Sequence, residues 1–401
     1  MLIVNKFGGS SYENKHRIFN VARRWIEDYK KGHDVVVVLS AMGDTTDNLL
    51  SLAKSIISEG SKRAMDMLLT TGEQVSVSLM AMAIQAMGVP AVSLNAYQAK
   101  MNCTSRYSNA RFKRINTERI ENELEAKKIV IVTGFQGVNK HDDYVTLGRG
   151  GSDTTAVALA AALHADKCEI FTDVDGVFTA DPRVVPDARK IDEITYDEML
   201  ELATSGAKVL HSRSVELAKK YGVQMVVRSS LNETEGKTVK EIVKMEKMLI
   251  TGVAADKNTA RISVHGVEDR PGIAFKIFHR LAKNSINIDI ILQSVGHDGT
   301  KDISFTVAQD DLKDALRVLD ENKEALTIKD VTYNADVAKV AIVGAGMMSN
   351  PGVASQMFEA LFNYGININM ISTSEIRITV LIDEKDVDRA VRAIHEQFSL
   401  A

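Results

Sequence analysis

The run Asp34–Leu39, DVVVVL, constrains the fold more than any other stretch. Four consecutive valines followed by leucine read as a strand covered on both faces. Shorter apolar runs recur at Leu2–Val4, Ala91–Leu94, Ile129–Val132, Ile170–Phe171 and Val223–Val227. Between them lie stretches with helical spacing. Ile18, Val21, Ala22, Trp25 and Tyr29 mark a helix from about Asn14 to Lys31, and Leu49–Ile57 another. Val75–Met87 is apolar nearly all round and reads as a buried helix opened by Thr70-Thr71-Gly72-Glu73-Gln74. Tyr196–Ala203 and a segment ending near Lys220 complete the set. Strand and helix alternate to about residue 230. That order predicts an open, mainly parallel αβα sandwich whose ligands sit beyond the carboxyl edge of the sheet.

Polar and glycine-bearing motifs follow the strand ends. Lys6-Phe7-Gly8-Gly9-Ser10-Ser11 stands between the first strand and helix, without Walker spacing. It reads as a phosphate loop or as an exposed lysine beside a turn. Ser40-Ala41-Met42-Gly43-Asp44-Thr45-Thr46-Asp47 closes the valine strand. Glu73 complements a helix dipole or binds a cation such as an ammonium group. Thr146–Ala160, TLGRGGSDTTAVALA, reads as strand end, glycine turn and helix N-terminus. Arg149 there offers a fork for carboxylate or phosphate, both open on the residues alone. The plainer reading is a strand–turn–helix with a Ser152 or Asp153 cap. Thr172-Asp173-Val174-Asp175-Gly176-Val177-Phe178 and Asp181-Pro182-Arg183 follow another strand, with no calcium-loop spacing. Asp173 and Asp175 either cap turns or lie near a nucleotide. His211 reads as a packed or surface histidine, since no second ligand stands at metal spacing. Residues 100–117 carry Arg106, Arg111, Lys113 and Arg114 and read as a solvated surface excursion.

Composition narrows the function classes. The chain has 401 residues, a 45% apolar share and a net charge of −4, which predicts two or three globular domains and no broad nucleic-acid surface. Cys103 and Cys168 form no paired motif, so a cytoplasmic, reducing setting is expected. The opening apolar run is short for a signal peptide, and no other run reads as a membrane span.

Residues 230–248 are polar and charged and read as a boundary, with 231–248 as the linker. Beyond it lies an internal repeat, 261–294 against 339–374. Pro271-Gly272 matches Pro351-Gly352, and Ile286-Asn287-Ile288 matches Ile366-Asn367-Ile368. Each copy reads strand, Pro-Gly turn, helix, strand, strand, helix, a split βαβ pattern. The expectation is two α+β modules side by side, 249–330 and 331–401. The third glycine after Gly344-Ala345-Gly346 has the wrong offset for a dinucleotide fingerprint.

The ordered set KFGGSS, VVVVLSAMGDTTD, TTGEQ, TLGRGGSDTTA and FTDVDGVFTADPR resembles aspartate kinase, in the amino-acid kinase family, over the whole chain. The repeat resembles the paired ferredoxin-like ACT modules that follow the kinase domain there. Ser10 stands where the family usually has Thr, keeping the hydroxyl. No dehydrogenase domain follows, so the resemblance is to the monofunctional form.

The resemblance implies an amino-acid kinase domain at 1–230. The implied reaction is phosphorylation of L-aspartate by ATP to 4-phospho-L-aspartate, the entry to lysine, threonine and methionine synthesis. It implies Lys6 and Asp153 as catalytic, with Arg149 on the substrate α-carboxylate and Glu73 on its ammonium. Ser40, Thr46 and Ser152 lie near the reacting groups. Lys6, Gly8, Gly9 and Ser10 hold phosphates, with Thr172, Asp173, Phe178, Asp181, Arg183 and Lys208 forming the nucleotide wall. Magnesium is expected to ride mainly on ATP phosphates, with no metal ligands on the protein. The ACT pair implies an effector such as lysine or threonine between modules, at Asp269, Gly272, Ala274, Asp289, Gln293, Asn367 and Ile368. Pro-Gly turns that merely shape the modules are the alternative there. A homodimer or larger assembly through the modules, and an internal start at Met245 or Met248, are further expectations. The rivals are kinase relatives acting on glutamate, acetylglutamate, carbamate or UMP, and a non-catalytic amino-acid sensor.

Overall fold

A computed structural model describes the chain except for residues 59, 173–175, 192, 208, 231–236, 241–248, 296–298, 349 and 401. The chain divides into two compact units. The first comprises Met1–Phe178, Lys190–Thr204 and Lys208–Met245; the second, Thr179–Arg189, Ser205–Ala207 and Glu246–Ala401.

The first unit opens with β1 (Leu2–Phe7), α1 (Lys15–Lys30), β2 (Asp34–Leu39), α2 (Thr45–Ile56) and α3 (Lys62–Ala86). Then come β3 (Ala91–Leu94), β4 (Met101–Cys103), β5 (Phe112–Ile115), α4 (Glu118–Glu125), β6 (Ile129–Thr133), β7 (Gln136–Val138) and β8 (Tyr144–Thr146). The unit closes with α5 (Gly151–Ala162), β9 (Lys167–Thr172), β10 (Ile194–Thr195), α6 (Tyr196–Thr204), α7 (Ser212–Tyr221), β11 (Met225–Ser229) and β12 (Lys237–Lys240).

Eight strands form one sheet in the order β10-β12-β11-β9-β1-β2-β6-β3. Every pairing in it is parallel except β11 with β12, as the valine run and the alternation predict. Phe7, Val35, Val37, Leu39 and Phe171 pack on one face with Trp25 of α1 and Val77, Met80 and Ile84 of α3. Phe7 stacks on Phe171 at 4.0 Å and meets Trp25 edge-on at 5.2 Å. Side chains alternate along a strand, so Lys6 faces away from this cluster, toward α5.

Four expectations change in this unit. The first strand runs on to Phe7, which places Lys6 within the strand and not in a loop. The TTGEQ motif lies in the middle of α3, not at a helix start. Its glycine is there for contact: a Cβ on Gly72 would stand 2.9 Å from the Ala41 side chain. The 100–117 excursion holds β4 and β5, which join β7 and β8 in a four-stranded sheet with Met101, Cys103 and Ala110 buried. Finally, α3 is long and apolar enough to cross a membrane by length and composition alone. It buries Asp66 and Glu73 and packs on α1, β3, β6 and β8, as a core helix does.

The second unit contains β13 (Gly252–Glu268), α8 (Ile273–Lys283), β14 (Ile291–Val295), β15 (Thr300–Val307), α9 (Leu312–Glu321) and β16 (Asp330–Val343). It ends with α10 (Val353–Asn363), β17 (Met370–Thr373), β18 (Arg377–Asp383) and α11 (Val387–Gln397). Its sheet runs β14-β15-β13-β16-β18-β17. Both repeats show the expected order, and Gly272 and Gly352 start α8 and α10 at φ +89° and +95°. That left-handed backbone explains why glycine recurs there.

The modules are interwoven rather than consecutive. Ala260, Ile262 and Val264 of β13 pack in one core with Ile303 and Phe305. Val253, earlier on the same strand, packs in the other core with Val340, Ile342 and Val380. Pairing of Gly252–Asp256 with Lys339–Val343 completes the second module with chain that precedes the first.

Candidate active site

Seven residues singled out from the sequence converge on one cleft of about 680 Å³ in the first unit. Lys6, Ser40, Thr46, Glu73, Arg149, Ser152 and Asp153 all line it. A smaller hollow of about 310 Å³ lies over β4, β5 and β7, lined by Tyr97, Lys100, Arg114 and neighbours, and contains none of them.

Each wall has a local cause. Lys6 projects near the carboxyl end of β1, and its Nζ stands 2.7 Å from Oδ1 of Asp153 in the first turn of α5. The contact is an ion pair. The side chains are 14% and 12% exposed, where an ion pair is screened little. The cap of α5 is Gly150 at φ +66°, with no side-chain cap, which corrects the Ser or Asp cap reading. Ser152 and Asp153 therefore line the cleft instead of closing the helix end. A Cβ on Gly150 would overlap the His211 ring, so glycine is required for packing as well as for backbone freedom. His211 is thus packed beneath the turn. Burial pushes its pKa below the ordinary imidazole range, and the charge of Asp153 acts the other way.

Glu73 is 2% exposed. Its Oε1 accepts from the Ala41 amide at 3.2 Å, while Oε2 is buried with no hydrogen-bond partner among the described residues. Burial raises its pKa to about 8. In mid-helix it serves no dipole, so that alternative falls. A buried acceptor left unmatched on a cleft wall is a place for a ligand donor. Nearby, the Tyr12 hydroxyl donates to the Ser40 carbonyl at 2.5 Å and fixes the loop after β2.

Sequence reasoning missed several supports. Asp66, wholly buried on α3, accepts from the amide and hydroxyl of both Ser108 and Thr146. Arg213 donates to the carbonyls of Leu147 and Ala110. Gln136 donates to the Thr70 carbonyl at 3.0 Å. A charged residue two helical turns before Glu73 on a buried face was the available signal for Asp66.

The nucleotide-wall residues disperse. Gly8 and Thr172 share the carboxyl edge, because Phe7 pairs with Phe171 in the β1–β9 register. Gly9 is packed: its Cβ would meet the Ala41 carbonyl oxygen, and its own carbonyl accepts from Gly43. Ser10 is exposed, and its carbonyl accepts from Arg17. Phe178 forms a bridge with Lys190. Asp181 and Arg183 pair with each other at 2.7 Å, in a segment that belongs to the second unit. None of these seven lines the cleft. Asp173 and Lys208, like Asp175, Met245 and Met248, lie outside the described residues.

In the second unit Asp269 pairs with Lys301 at 2.6 Å, and Asp289 with the buried Lys339 at 2.5 Å. Ala274 and Ile368 pack against the two cores, while Gln293 and Asn367 are exposed. Gln293 lies on β14 and Asn367 just before β17, strands at opposite edges of the sheet. One chain does not gather the expected effector residues into one place.

The amino acid kinase family model matches residues 1–229, and an ACT domain model matches 262–322 and 340–398. The aspartokinase of Geobacillus stearothermophilus is 53% identical over 401 residues, covering 100% of this chain and 98% of that protein. The aspartokinase of Corynebacterium glutamicum is 51% identical over 405 residues, covering 100% and 96%. Escherichia coli aspartokinase III, solved in complex with aspartate and ADP, is 25% identical with a TM-score of 0.83, covering 99% of each chain. The chain belongs to the amino acid kinase family, among the aspartokinases that carry a C-terminal ACT pair.

Proposed function

We propose that the protein is an aspartokinase, transferring the γ-phosphoryl group of ATP to the β-carboxylate of L-aspartate. The observation that carries this reading is the buried, unmatched Oε2 of Glu73 in a cleft that also presents Arg149 and the Lys6–Asp153 pair. An α-amino acid offers an ammonium for Glu73 and a carboxylate for Arg149, and its remaining carboxylate is left for reaction.

A free aspartate carboxyl has a pKa of about 3.9, so it is already an anion at neutral pH and needs no strong base. One of its oxygens bonds to the γ-phosphorus as the bond to ADP breaks, and ADP leaves with the electron pair. The task is alignment of two anions and neutralisation of their charge. Lys6 supplies the positive charge. Asp153 holds the Lys6 ammonium in place, and the first turn of α5 adds its dipole. Gly8 amide and Thr172, at the same sheet edge, are the phosphate-side groups of this reading.

Magnesium bound to ATP would supply further neutralisation of the phosphates. Among the described residues no three His, Cys, Asp or Glu side chains gather to cage a metal.

The ACT pair provides the regulatory part of the reading, with lysine or threonine as effector. E. coli aspartokinase III has been solved with lysine and aspartate. Because Gln293 and Asn367 lie toward opposite edges, a site using both needs a second copy. The edge strands expose Ile291, Leu292 and Ile371, at 50%, 40% and 42%, as surface for such a partner. A monomer at every concentration in ultracentrifugation would contradict this.

The test of the activity is ATP-dependent hydroxamate formation with hydroxylamine across a panel of amino acids. Turnover with aspartate and not with glutamate is expected. Turnover with another acceptor, or none with aspartate, would overturn the reading.

A further inference from the structure

Glu73 and Arg149 approach the cleft from different elements, and something must hold their separation. Asp66 lies seven residues before Glu73 on α3, two helical turns away on the same face, or about 10 Å along the axis. Both are buried. Asp66 Oδ2 accepts from the Ser108 amide at 2.8 Å and the Thr146 amide at 2.9 Å. Its Oδ1 accepts from the Thr146 hydroxyl at 2.9 Å and the Ser108 hydroxyl at 3.3 Å.

Thr146 ends β8, three residues before Arg149. Ser108 supports the same turn, since its carbonyl would lie 3.1 Å from a Cβ on Gly148. The Thr146 carbonyl accepts from Ala110 at 2.8 Å, and Arg213 clamps Leu147 and Ala110 together. The launch of the Arg149 turn is therefore fastened to α3 at Asp66. The helix that carries the ammonium-reading carboxylate also sets the distance to the carboxylate-reading guanidinium.

We propose that Asp66 is a positioning residue that fixes the spacing of Glu73 and Arg149, and so selects a substrate whose ammonium and carboxylate share one carbon. The proposal rests on the aspartokinase reading. A carboxylate taking four donors is suited to the task. A buried anion must be fully hydrogen-bonded, and four bonds to two residues leave the loop little freedom. An amide in its place keeps the volume and can still accept from both backbone N–H groups through its oxygen, but it removes the charge and turns two donors toward the Ser108 and Thr146 hydroxyls, which then have to accept.

The test uses the full-length protein with Asp66→Asn, Thr146→Val and Thr146→Ser. The readouts are KM for aspartate, KM for ATP, and the preference for aspartate over its α-carboxamide. In Asp66→Asn the aspartate KM should rise about tenfold or more, as loss of a charged buried hydrogen-bond network implies. The ATP KM should stay within about twofold, and the preference for the α-carboxylate should collapse. Thr146→Val should shift the same quantities in the same direction by less, and Thr146→Ser should restore them. If Asp66→Asn does not fold, the Thr146 pair carries the same comparison.

Wild-type aspartate KM and preference in Asp66→Asn and Thr146→Val would overturn the positioning role. So would parallel changes for both substrates, or a loss of rate that only tracks the folded fraction. A wild-type protein that neither binds nor phosphorylates aspartate overturns the aspartokinase reading and this role with it. A wild type that does, beside indifferent variants, overturns this role alone.

Discussion

Lys6 Nζ lies 2.7 Å from Asp153 Oδ1, joining the end of β1 to the first turn of α5. The two residues stand far apart in the chain and belong to motifs with different composition. Their pairing puts one held cation at the carboxyl edge of a parallel sheet, where the dipole of α5 also points.

Replacing Lys6 with Met should remove that cation with little change in volume. We expect kcat to fall by at least about a thousandfold, the scale for loss of a principal transition-state charge. Aspartate binding by calorimetry should persist, because Glu73 and Arg149 are untouched. Near-wild-type turnover would sink the assigned role of Lys6.

Glu73 predicts a pH profile. Its pKa in the free protein is about 8, and an ammonium ligand needs the ionised form. The kcat/KM for aspartate should therefore climb as pH rises toward 8 and then level off. Glu73→Gln should raise the aspartate KM by about tenfold or more and abolish the climb. An unchanged slope in the variant would show that another group titrates.

The same residue predicts an effect on stability. Burial favours the neutral carboxyl, so the pKa rises from 4.5 to about 8 on folding. For a carboxyl with a raised folded pKa, the unliganded protein loses stability as pH rises from about 4.5, and the loss is complete above about 8. Glu73→Gln carries no such cost. Its melting temperature should match wild type in acid and exceed it in base by on the order of 5 °C, as a few kcal/mol implies. A constant gap at all pH values would argue against a charged Glu73 in the free cleft.

Gly72→Ala sets two effects against each other. Alanine in mid-helix favours the helix by about 1 kcal/mol. Its Cβ would come 2.9 Å from the Ala41 side chain, pressing α3 off the loop whose amide holds Glu73. We expect a melting temperature near wild type together with a raised aspartate KM. Both unchanged would mean that the close approach has no bearing on the site.

The sheet was legible because its central strands are continuous β-branched runs, and Asp34–Leu39 has the observed bounds. The cleft residues other than Glu73 were legible because their motifs stand at strand ends, where this architecture gathers ligands. Glu73 was placed at a helix start because a mid-helix glycine looks like a break. The close approach of Ala41 and Thr45 to Gly72 explains it. Asp66 was hidden because its partners Ser108 and Thr146 are distant in sequence and ordinary in type. The interwoven ACT modules were hidden because one strand, β13, serves two cores, while a repeat in sequence shows only the copies.

On this mechanism the β-carboxylate of aspartate attacks the phosphoryl group in this cleft. Aspartate with heavy-isotope oxygen in its β-carboxylate tests it directly, when the product is trapped with hydroxylamine and the released phosphate is weighed. Hydroxylamine cleaves the acyl carbon–oxygen bond, so the phosphate should carry one heavy oxygen, and none when the label is in the α-carboxylate. Unlabelled phosphate from β-labelled aspartate would contradict the account.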